Sequence, residues 1–221
     1  MTFGPPPLRR APSTPTSRAV NAPRGRPPGR GGKARKAGDT AEAHVAAAAN
    51  RDERVWLVKR PVPFRPVGGG EKGGAFLAVR TAAAGVDFSG VLRGGLALAI
   101  EVKSAARASL PLRNQAGDQV GPSQAAELSR VAALGGVAGL LVRLELGDHA
   151  QRRGLPPRAW WWVTWEAWTC AAAEARAEGS ASVDWRALER WGWRCEANPD
   201  GTPRFVDAVL KSEEEACPAK R

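Results

Sequence analysis

At 221 residues the chain is long enough for one domain with a buried core. Its formal charge of +11 is unevenly placed: residues 1–36 hold nine Lys or Arg and no acid, which leaves +2 for everything after them. No apolar run reaches the roughly 18 residues that a membrane helix needs, and Cys170, Cys195 and Cys217 are odd in number, far apart and without nearby His, which excludes a disulfide framework and a zinc site. No secretory signal is recognised, so a reducing cytoplasm is the expected location.

Residues 1–37 are rich in Pro, Gly, Ser and Thr, with Phe3 the only aromatic. Such a segment cannot bury enough apolar area to offset its ordering entropy, and a disordered basic arm is expected. Arms of this charge lie along nucleic acid phosphates with an affinity that falls with salt, a soluble linker being the alternative. Order is expected from Asp39, where Asp39 and Glu42 have the spacing of a capping box ahead of an Ala-rich helix to Asn50. Val55–Lys59 has strand character and is stopped by Pro61 and Pro63; Val67–Gly74 is glycine-rich and expected to be mobile; Ala75–Arg80 is a further short strand.

The most informative stretch follows. Val86–Gly90 and Leu96–Lys103 flank the turn Arg93-Gly94-Gly95 and read as a hairpin. Because strand side chains alternate, Leu96, Leu98, Ile100 and Val102 share one face, while Ala97, Ala99, Glu101 and Lys103 share the other. Pairing brings Asp87 within reach of Glu101 and Lys103. A charged pair ending an apolar strand is costly unless it is paired or holds a metal, and two carboxylates with an ammonium on one sheet surface suit metal-assisted phosphodiester hydrolysis.

After a polar loop with a short strand near Leu110, Gly121-Pro122-Ser123 announces a helix to about Leu134, stopped by Gly135-Gly136. Gln124, Leu128, Val131 and Gly135 fall on one face of it, so Gln124 is an amide on a packed surface and calls for a partner. Val131–Val142, the longest apolar run, is broken by those glycines and reads as two buried elements. Val137–Leu146 and Ala159–Trp165 are strands, Ala167–Ala177 and Asp184–Trp191 helices, and Phe205–Val209 a final strand before an acidic, frayed tail over 212–221. Trp160, Trp161 and Trp162 must occupy both faces of their strand, chiefly as core. The expected fold class is α/β, a mixed sheet with helices on its faces. His44 and His149 are too isolated for a zinc or acid-base site, and Gly68–Gly74 lacks the spacing of a phosphate-binding loop.

Val86-Asp87-Phe88-Ser89-Gly90-Val91-Leu92-Arg93-Gly94-Gly95, Ala99-Ile100-Glu101-Val102-Lys103-Ser104-Ala105, Ser109-Leu110-Pro111-Leu112 and Gln124 together resemble RecU-type Holliday junction resolvases of the PD-(D/E)xK nuclease superfamily. Lys59–Pro63, Trp185–Trp193 and Pro203–Asp207 are similar to that family's lysine- and proline-containing stretch, terminal helix and terminal strand, so the resemblance covers most of residues 38–210. It implies a restriction-endonuclease-like mixed central sheet flanked by helices in a nuclease domain over 38–211. It also implies that Asp87 and Glu101 bind Mg²⁺, with Mn²⁺ as substitute, that Lys103 orients the attacking water, and that Gln124 assists. Glu42 is read first as a cap and second as an accessory acid. The implied activity is an endodeoxyribonuclease that resolves four-way junctions in recombination and repair, acting on DNA as a homodimer in a bacterial or phage-infected cytoplasm, nucleoid-associated. Pro66–Ala84 departs from the family's basic junction-entering stalk in being shorter and glycine-rich, with Lys72 and Arg80 as its only cations. A nuclease of the same kind acting on another DNA substrate, and a non-catalytic nucleic-acid-binding protein, are the alternatives.

Overall fold

A ten-residue strand of alternating small and bulky side chains is the centre of the molecule. The computed structural model describes residues 31–61, 64–66, 78–80, 85–114 and 117–216. Helix α1 (Gly31–Ala49) leads into strand β1 (Val55–Lys59), and β2 (Phe64–Pro66) pairs with β3 (Ala78–Arg80) as a separate ribbon. The hairpin of β4 (Phe88–Leu92) and β5 (Leu96–Ala105) follows, then β6 (Ser109–Pro111), β7 (Arg113–Asn114) and β8 (Gly117–Asp118). Helix α2 (Pro122–Ala133) crosses to β9 (Val137–Glu145), and α3 (Asp148–Gln151) leads to β10 (Arg158–Thr164). The chain ends with α4 (Trp165–Ala177), β11 (Ser182–Asp184), α5 (Trp185–Trp191), β12 (Trp193–Cys195) and α6 (Phe205–Ala216).

The main sheet is mixed α/β in character and six-stranded, in the order β1-β4-β5-β9-β10-β12. Only the β5 and β9 pair is parallel, the connection for which a crossover helix is required, and α2 supplies it. The hairpin has the expected register, with Leu92 opposite Leu96 and Phe88 opposite Ile100. Its turn needs Gly94 and Gly95, whose φ values of 101° and 90° suit residues without a Cβ. Alternation along the strands divides the interior in two. Ala99, Leu140, Val142, Trp161 and Val163 pack beneath Leu128 of α2, Trp168 of α4 and Leu188 of α5. Leu98, Ile100, Leu141, Trp160 and Trp162 pack beneath Val45 of α1 and Phe205 of α6. The three consecutive tryptophans are thus core on both faces.

Several expectations are corrected. Helix α1 begins at Gly31, so residues 31–37 are helical; Lys33, Ala34, Arg35, Lys36 and Ala37 are good helix formers, and Asp39 and Glu42 lie inside the helix instead of capping it. Phe205–Val209 is the start of a helix that continues to Ala216, so the expected terminal strand is absent and the expected tail is helical over 212–216. The sixth strand is Trp193–Cys195, at the other edge of the sheet from β1. Trp165 opens α4 because Thr164 caps it, its side chain accepting from Ala167 N at 3.3 Å. The end of α2 is not buried, since Leu134 is 81% exposed; only the β9 half of that apolar run is core. Residues 1–30, the glycine-rich run 67–74 and residues 217–221 lie outside the described residues. Among the described residues no helix is long and apolar enough to cross a membrane.

Candidate active site

Asp87 lies immediately before β4, anchored on three sides. Its carbonyl accepts from Arg60 N at 2.8 Å, its N–H donates to Glu101 Oε2 at 3.2 Å, and its Oδ2 accepts from Val102 N at 2.8 Å. Glu101, opposite Leu140 in the parallel register, is only 1% exposed. On its Oε1 converge Lys103 Nζ and Gln124 Nε2, each at 2.5 Å. Gln124 is oriented by the start of α2: Gly121 N donates to its Oε1 at 2.9 Å, which leaves the amide nitrogen to face Glu101. All four residues expected at the site therefore meet in one hydrogen-bonded group, and the partner that Gln124 required is Glu101.

Burial sets the electrostatics. It pushes the Glu101 carboxyl up to about 7, with the Asp87 charge adding to the rise and Lys103 opposing it. Asp87 is also raised by burial, restrained by the Val102 N–H, and raised further by the charge of Glu42. One ammonium thus faces two desolvated carboxyls, and the group is short of positive charge.

Three residues that sequence reasoning placed elsewhere or passed over complete the surroundings. Glu42 is not a cap; its carboxylate pairs with Lys59 Nζ at 2.8 Å. Glu127, one turn beyond Gln124 on α2, accepts from Val86 N at 3.2 Å through Oε2 and from the Arg60 guanidinium through Oε1. Gly85 makes this approach possible, since a Cβ there would collide with the Glu127 carboxylate. The available signal was the i,i+3 spacing of Gln124 and Glu127, which puts both on one helix face. His44 stands apart from the site, its ring 6.4 Å from that of Trp160; the side chain of His149 is outside the described residues.

The donor set can be compared with what a divalent cation needs. Among the described residues no group of three or more His, Cys, Asp or Glu could hold a metal by itself. Mg²⁺ does not need such a group, because it keeps several waters and takes one or two carboxylates together with substrate phosphate. Asp87 fits this role: its carboxylate is aimed by the Val102 N–H on Oδ2 and lies against the Glu101 carboxyl, so a cation between them would draw on both. Glu101 fits with Lys103 as a stand-in cation on Oε1. No protein-family model matches the chain, and no curated protein matches it.

Proposed function

We propose that this chain is a Mg²⁺-dependent endodeoxyribonuclease of restriction-endonuclease-like fold, a RecU-type resolvase that cuts four-way DNA junctions as a homodimer. The observation that supports this reading above all others is the convergence of Asp87, Glu101, Lys103 and Gln124 on one partly open corner of the sheet. Two carboxylates and an ammonium gathered by separate elements, with a deficit of positive charge, match the needs of phosphodiester hydrolysis better than those of a structural ion pair.

Asp87 and Glu101 would hold the cation, which supplies Lewis acidity at the phosphate and a more acidic bound water. Lys103, released from Glu101, carries its positive charge toward the phosphate oxygens and the attacking water. Gln124 keeps the Glu101 carboxylate aimed while Lys103 moves. Arg60 and Glu127 fix the backbone on either side of Asp87. Two nicks across a two-fold junction call for two such sites related by a two-fold axis, which is the reason for a homodimer.

The test compares a mobile four-way junction with linear duplex of equal length, in Mg²⁺, using the full chain. Junction cleavage that disappears in Glu101→Ala, while binding in Ca²⁺ persists, is the expected result. Cutting of linear DNA alone removes the resolvase assignment, and unchanged cleavage by Glu101→Ala removes the site.

A further inference from the structure

Beyond Lys103 the same two parallel strands end at a cleft that the proposed chemistry does not use. It measures about 480 Å³ and lies between the Ala106–Ala108 bend, Glu145–Gly147, Pro157 and Trp185 at the start of α5. Backbone ties hold its walls: Trp185 N–H donates to the Ala108 carbonyl at 3.0 Å, and Leu146 N–H to that of Pro157 at 2.7 Å.

The charges around it are unbalanced. Arg107 lines the cleft, is exposed, and has no hydrogen bond or ion pair among the described residues. The Arg153 and Arg186 guanidinium carbons stand 5.7 and 4.7 Å from the Trp185 ring centre; Arg186 pairs with the Asp184 carboxylate at 3.4 Å, whereas Arg153 has no ion pair among the described residues. Glu145 is the one acid in the lining, and it is already engaged by Arg143 at 3.2 Å and Arg158 at 3.0 Å.

Two exposed arginines without acidic partners, Arg107 in the lining and Arg153 over Trp185, suit an anion, and the position of the cleft says which kind. Ala106 is three residues past Lys103, about 10 Å at roughly 3.3 Å per residue of strand. That distance is a span of only a few nucleotides of a DNA strand, whose phosphates carry one negative charge each. We propose that this cleft binds the phosphodiester backbone of the DNA strand within a few nucleotides of the scissile phosphate. Arg107 and Arg153 bind the phosphates at its outer rim. The inference rests on the nuclease reading for its choice of polyanion, and it adds the track along which the substrate lies.

The experiment measures the affinity of the full chain for labelled junction DNA by fluorescence anisotropy in Ca²⁺, between about 50 and 200 mM salt. Both substituted side chains are exposed, so Arg107→Ala/Arg153→Ala should fold, which circular dichroism checks. The double variant should bind about tenfold more weakly or worse. Its slope of log affinity against log salt should be shallower by about 1 to 2, because each phosphate left without its arginine removes roughly 0.9. Arg107→Lys should keep the wild-type slope. At saturating DNA, kcat of the double variant should change by less than roughly threefold, since the substitutions weaken substrate and transition state alike. A neutral methylphosphonate walked along the strand should weaken the wild type most at a linkage within a few nucleotides of the cut and leave the double variant indifferent there.

An unaltered slope and affinity in the double variant, with cleavage intact, overturns the cleft and spares the nuclease. Arginine-dependent binding without any cleavage overturns the nuclease and spares the cleft as a DNA-backbone site. Failure of the wild-type chain to bind DNA overturns both.

Discussion

Glu101→Gln should make the metal-free protein more stable at pH 8 while abolishing the proposed cleavage. The carboxyl of Glu101 titrates near 7 in the folded chain against an ordinary 4.5. Between those pH values the folded state holds a proton that the unfolded state has released. Stability therefore falls as pH rises through that window and stays at the lower level above it. At about 1.4 kcal/mol per pH unit the full loss is roughly 3 kcal/mol. Gln cannot ionise, so it escapes the loss, but it offers one oxygen where Lys103 Nζ, Gln124 Nε2 and Asp87 N–H all point. An unsatisfied donor takes back about 1 kcal/mol, which leaves a net gain of about 2 kcal/mol, or about 4 to 8 °C in Tm for a chain of this size. The assay is thermal and urea unfolding in EDTA at pH 5 and pH 8, followed by tryptophan fluorescence. The gain should shrink or reverse at pH 5, where the wild-type carboxyl keeps its proton. Mg²⁺ should raise the wild-type Tm at pH 8 and leave the variant unmoved. A variant less stable than wild type at pH 8, or equally advantaged at both pH values, would refute the view that a desolvated charge is held at this site.

Glu127→Ala should lower kcat roughly ten- to a hundredfold, because Val86 N–H and Arg60 lose the carboxylate that fixes the approach to Asp87; the check is single-turnover cleavage, and an unchanged kcat denies Glu127 a positioning role. Gly139→Ala should cost about 1–3 kcal/mol or prevent folding, since the new Cβ would meet the Val163 carbonyl oxygen and lie 2.7 Å from the Trp162 ring; a urea midpoint equal to wild type contradicts it.

What the sequence made legible was local. The hairpin is written in two adjacent strands and their glycine turn, so alternation was enough to place Glu101 and Lys103 together and Asp87 beside them. Gln124 was legible for a different reason: an amide on the apolar face of an otherwise plain helix demands a partner, and the parallel pairing of β5 with β9 brings that helix over Glu101. The arginine pair of Glu127, by contrast, joins residues 67 positions apart. Nothing in the periodicity of either segment reports the other, although the shared helix face did mark Glu127 as a neighbour of Gln124.

The misreading of α6 has a chemical cause. Its buried positions, Phe205, Val206, Ala208, Val209 and Ser212, follow the three-and-four period of a helix. The last of them is a hydroxyl, so an apolar count stops at Leu210 and leaves a short hydrophobic run with a strand's appearance. Ser212 is inside because Trp162 Nε1 donates to its Oγ at 3.0 Å, and that hydroxyl in turn donates to the Val209 carbonyl at 2.6 Å. A tryptophan N–H in the core must find an acceptor, and here the need of β10 determines the residue type on α6. Polar residues that serve a distant buried donor erase the very pattern by which their own element is recognised. Gln124 is the converse case on α2, its amide donating to the buried Glu101 carboxylate, and there enough apolar positions remained for the exception to stand out.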